Sequence, residues 1–132
     1  MRMRRAWTLA LLWCLVAISR AIADDKPTNL SDAQAAVEAN LRTPQGKAYD
    51  EQLGTEFPPK YMGTVHQCKQ TSGDSASFWI LMKLDQDGSV KEVLLYPSTK
   101  LGVCAREALL KGKFSPPPRA AYWVSIYLKM AH

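Results

Sequence analysis

The 132-residue sequence predicts an α+β fold: a three-stranded antiparallel sheet with a ββαβ core, preceded by two or three helices. Three observations predict it. A hydrophobic alternation of period two runs through Phe78 to Leu84 and meets an Asp87-Gly88 turn. An apolar face of period 3.6 follows at Leu101, Cys104, Ala105, Ala108 and Leu109. A second alternation, Tyr122, Val124, Ile126, Leu128 and Met130, closes the chain.

Taken in order, the first 23 residues have the form of a secretory signal peptide. Arg2, Arg4 and Arg5 supply a basic start, Ala6 to Ile18 an apolar run, and Ala21-Ile22-Ala23 a small-residue pattern. Cleavage between Ala23 and Asp24 is expected. Arg20 cuts the apolar run short of the ~20 residues that a membrane anchor needs. The formal charge of +5 comes largely from this segment. Without Arg2, Arg4, Arg5 and Arg20, 13 basic residues face 12 acidic ones, leaving about +1. Such a balance argues against a nucleic-acid partner, and against a membrane partner once the segment is gone. Cys14 leaves with the same segment. Cys68 and Cys104 remain, an even number in an exported chain, and are expected to form a disulfide.

Residues 24–60 read as an N-terminal helical segment and residues 61–132 as the ββαβ domain. Ser31 and Gln34 have capping-box spacing, with Leu30 as a hydrophobic staple. Leu30, Ala33, Val37 and Leu41 form one stripe that should stop by Arg42, because Thr43-Pro44 disfavours continuation. Thr43 and Pro44 suit the start of a second helix, and Gly54 its end. A third helix is expected after Phe57-Pro58-Pro59, with Tyr61, Met62, Val65 and Cys68 on its apolar face. After the polar loop 70–77 comes the first strand, Phe78 to Leu84, apolar on both faces and so central. The second, Ser89 to Tyr96, has Val90 out of phase with Val93 and Leu95, which predicts a bulge or a twist near Lys91-Glu92. Ser98 or Thr99 caps the crossover helix. Pro116-Pro117-Pro118 is a stiff link, and Tyr122 to Met130 forms an edge strand.

This order resembles the C-terminal domain of TonB-type energy transducers, over about residues 61–130. The matching features are Phe78 to Leu84, Asp87-Gly88-Ser89-Val90, Ser98-Thr99, Ala105 to Leu110, Phe114 with Pro116-Pro117, and Val124-Ser125-Ile126. The AgmX/PglI-type variant is similar in carrying one cysteine before the first strand and one in the helix, as Cys68 and Cys104 stand here. The resemblance implies a binding mode: a terminal strand, here Tyr122 to Met130, that accepts an extended peptide by β-augmentation.

Chemistry is sparse. His66 is the single internal histidine. With Cys68 it falls short of the three or four ligands of a metal site. Asp85-x-Asp87-Gly88 lacks the flanking ligands of a calcium loop, since Lys83 and Leu94 occupy those places. No nucleophile turn, phosphate loop or paired-carboxylate pattern is present. Neither a cofactor nor enzymatic activity is expected. The remaining candidates are Trp79, Leu81, Trp123 and Tyr127, which alternation places together on the sheet face opposite the crossover helix. Burial of that face under the helices of residues 31–70 is the expected outcome; helices seated elsewhere would leave a recognition surface. The function expected is an exported binding module for an envelope protein or peptide, with a self-associating envelope protein (a homodimer, for instance) as the alternative and a hydrolase centred on His66 third.

Overall fold

The computed structural model describes residues 29–131. The cleavage site at Ala23 and Asp24 lies outside them. The elements run α1 (Leu30–Leu41), α2 (Pro44–Ser72), β1 (Phe78–Leu84), β2 (Val90–Tyr96), α3 (Lys100–Leu109) and β3 (Tyr122–Leu128). The sheet is antiparallel with order β2-β1-β3, so the first strand is central and the last an edge.

Helix α1 starts earlier than the Ser31/Gln34 spacing suggests. Asn29 is the N-cap, and its side-chain oxygen accepts the Asp32 N–H at 2.8 Å. Ser31 is thereby inside the first turn. Thr43 caps α2 by accepting the Gly46 N–H at 2.9 Å, with Pro44 at the first position, as expected.

The larger departure is α2. In place of two helices divided at Gly54 and the prolines, one 29-residue helix runs to Ser72 and ends at left-handed Gly73. Pro58 and Pro59 lie inside it, and the boundary read between residues 60 and 61 falls within it. Two interior prolines remove two backbone donors, at a cost of about 3 kcal/mol each in an isolated helix. Packing offsets that cost. Tyr49, Leu53, Phe57, Tyr61, Val65 and Cys68 form one stripe whose phase continues unbroken through the prolines, and all but half-buried Tyr61 are buried. A break at Pro58 would pull half of that stripe off the sheet.

The hairpin between β1 and β2 is as anticipated. Gly88 has φ +90, Asp85 N–H reaches Ser89 C=O at 2.9 Å, and Asp87 accepts the Ser89 N–H. Lys83 pairs with Glu92 but Leu84 with Val90, so Lys91 is the bulged residue. A side chain at Gly88 would sit 1.9 Å from the Phe114 carbonyl oxygen, because Phe114 N–H bonds to Gly88 C=O. The link before β3 is thus fastened to the hairpin.

Two layers cover the sheet unequally. Phe78, Ile80, Met82 and Leu84 are fully buried against α2 and α3, together with Leu101, Ala105, Leu109, Tyr122 and Val124. Cys68 of α2 and Cys104 of α3 form a disulfide that ties these helices together. On the opposite face α1 alone among the described residues packs on the sheet, placing Ala33 and Val37 on Leu81 and Trp123.

Candidate functional site

The partial cover of α1 divides the four candidate aromatic-face residues into two pairs. Leu81 and Trp123 are 2% and 6% exposed and belong to the core, so, contrary to their place among the expected binding candidates, they are not open to a partner. Their burial follows from the fit of α1's small residues, which bring the helix close to the sheet. Trp79 and Tyr127 are 43% and 49% exposed, and their ring centroids lie 4.8 Å apart. The face is therefore neither wholly covered nor wholly open.

A third aromatic joins them. Strand register pairs Trp79 with Tyr96 on β2 and with Tyr127 on β3. Tyr96 is 52% exposed. One aromatic from each strand thus forms a single row across the sheet. Counting outward from the Asp87-Gly88 turn through the bulge yields this register, so the sequence contained the signal for Tyr96. Between the row and α1 lies an open cleft of about 370 Å³, lined by Gln34, Glu38 and Leu41 on the helix side and by Trp79, Tyr96 and Ser125 on the sheet side.

The β3 edge is partly guarded. Asp85 bonds to Ser89, which turns the odd positions of β1 toward β2. By the alternation of antiparallel ladders, Trp123, Ser125 and Tyr127 then direct their backbone groups away from β1. The buried Asn40 side chain donates to the Trp123 carbonyl at 3.0 Å and accepts from the Arg119 guanidinium. Arg119 also stands over the Tyr122 ring at 5.1 Å. An incoming strand could pair beyond this lock, at Ser125 and Tyr127. The predicted end of the strand, Met130, lies past β3, where its N–H bonds to the Ser77 hydroxyl.

His66 is exposed on α2, beside an open depression it shares with Lys69, Gln70, Gly73, Asp74 and Ser75. Asp74 serves α3 and its own loop: backbone N–H bonds, led by that of Ala76, hold its carboxyl below the usual range. Glu56 is likewise lowered, chiefly by the Ser115 hydroxyl, and anchors the proline link to α2. Asp74 and Glu56 thus have structural duties. Among the described residues no three His, Cys, Asp or Glu side chains cluster to hold a metal, and no helix is long and apolar enough to cross a membrane. No family model, curated protein or solved structure matches this chain.

Proposed function

We propose that the chain is an exported, non-enzymatic binding module that recognises an envelope protein or peptide through the sheet face around Trp79. The observation that carries this reading is the row Tyr96–Trp79–Tyr127, three aromatics roughly half exposed side by side. An aromatic buries about 150–250 Å² when fully covered, so the row leaves on the order of 250 Å² open, worth about 6 kcal/mol before association costs. Aromatic residues concentrate at recognition hot spots for this reason. Export is supported by the disulfide and by the basic and apolar start of the sequence. The β1-β2-α3-β3 order is in keeping with the TonB C-terminal resemblance, whose strand-addition mode would use Ser125 and Tyr127.

The test is affinity capture from envelope extract with the full chain, in parallel with Trp79→Ser and Tyr127→Ser. Loss of the captured partner with both variants is expected. Recovery unchanged by either would remove the aromatic face from the function. A second reading, self-association, is favoured by the outward backbone groups of Ser125 and Tyr127. It predicts a mass that rises with concentration and falls back with Ser125→Pro.

A further inference from the structure

The row and the cleft beside it also indicate which chemistry they take. We propose that the site binds a proline-rich segment in the polyproline II conformation, bearing a Lys or Arg; this rests on the binding-module reading above. Four features lead there. The first is span. Strands lie about 4.8 Å apart, so the outer rings Tyr96 and Tyr127 are anchored roughly 9.6 Å from one another. One turn of polyproline II, three residues of ~3.1 Å, advances about 9.3 Å. Residues i and i+3 of such a segment therefore fall over the two outer rings, with Trp79 beneath the turn between them.

The second feature is width. The open apolar strip is one residue deep, because Leu81 in the next row is covered by α1. An amphipathic helix needs a stripe several turns long and ~100° wide, which this strip does not offer. A polyproline segment is slim and leaves its carbonyls free.

Third, the site supplies donors for those carbonyls. The Trp79 indole N–H, the Tyr96 and Tyr127 hydroxyls and the Gln34 amide make no hydrogen bond with other described residues. Trp and Tyr present an apolar body with a polar tip, and aromatic-lined grooves are a general means of reading preformed polyproline. Fourth is charge. Glu38 is the one charged side chain lining the cleft among the described residues. It is exposed and forms no ion pair among the described residues, although Arg42, the helix C-cap, stands four residues on. A basic residue flanking the prolines complements it.

The experiment is calorimetric titration of the full chain with a synthetic peptide of about three polyproline turns, roughly nine prolines, ending in lysine. A glycine-serine peptide of equal length and charge is the control, and an alternating valine-threonine peptide probes strand addition. Saturable binding of the proline peptide alone is expected. Trp79→Ala or Tyr127→Ala should weaken it about thirtyfold, the weight of a hot-spot aromatic. Glu38→Gln should weaken it about threefold, as befits an exposed charge. Trp79→Phe keeps the ring and removes the N–H, so it should retain part of the affinity even if the alanine variant unfolds. Binding no tighter than the control, or binding that survives Trp79→Phe and Tyr127→Ala intact, overturns the proposal. If the valine-threonine peptide binds instead, the proline assignment falls and the binding module stands. If no peptide binds and envelope capture is indifferent to Trp79→Ser, both fall.

Discussion

Replacing Asn40 with alanine should be among the most damaging single changes outside the main core. Asn40 is 4% exposed and links α1 to the start of β3 through two hydrogen bonds, one to the Trp123 carbonyl and one from Arg119. The neutral bond to Trp123 contributes about 1 kcal/mol. The bond from the guanidinium contributes about 1.5 kcal/mol, at the low end for a charged donor because Arg119 is exposed. Alanine also strands the Trp123 carbonyl, adding the cost of a polar group without a partner, for a total of about 3 kcal/mol. With a urea slope of about 1.5 kcal/mol per M, the unfolding midpoint should fall by about 2 M. Arg119→Ala should cost less, and the two changes together less than their sum, because they share one bond. The freed carbonyl should also raise association at high concentration, read by sedimentation. A midpoint change under about 0.4 M, or strict additivity with Arg119→Ala, would refute the reasoning.

Further changes have worked outcomes. Cys68→Ala with Cys104→Ala opens a loop of sequence separation 36 and should cost about 4 kcal/mol, measured as the loss in urea stability against the oxidised protein. Gly88→Ala should lose at least 2 kcal/mol, combining a left-handed φ with collision against Phe114, whereas Gly73→Ala, with φ +66 and open space, should lose about 1 kcal/mol; equal losses in thermal melts would contradict this. Burial pushes the phenols of Tyr49, Tyr61 and Tyr122 above their ordinary value near 10. A raised folded-state pKa gives stability that is complete below pH 10 and is lost as pH rises beyond it. Denaturant midpoints should therefore decline above about pH 10, and Tyr49→Phe should flatten that decline.

The strands and α3 were legible because their signals are local. Four alternating apolar residues in β1, an Asp-Gly turn and a Thr cap each act within a few residues of chain. The bulge at Lys91 was legible from Val90's phase for the same reason. The fate of α2 was not, because Gly54, Pro58 and Pro59 are local breakers overruled by a six-residue stripe that matters only once the sheet is present. The position of α1 was less legible still. Nothing in its own twelve residues says whether it lies over Trp79 or over Trp123. That choice depends on Asn40 finding the Trp123 carbonyl 83 residues later.

The seat of α1 in turn decides why an aromatic face stays exposed. Its C-terminal end is held twice. Asn40 is bonded to the β3 edge, and the turn into α2 is so close that a Cβ at Gly46 would lie 1.7 Å from the Asn40 carbonyl oxygen. The helix cannot slide along the sheet without breaking one of these. Tyr127 lies four residues beyond Trp123, about 13 Å along the strand. A helix pinned beside Trp123 thus fills the middle of the outer face and, among the described residues, leaves the far row half exposed. Moving α1 over Trp79 would bury the row only by uncovering Leu81 and Trp123, exchanging one apolar surface for another while losing the Asn40 bonds. The exposed aromatics are therefore a fixed product of the α1–α2 junction, and the proposed ligand would meet them already ordered.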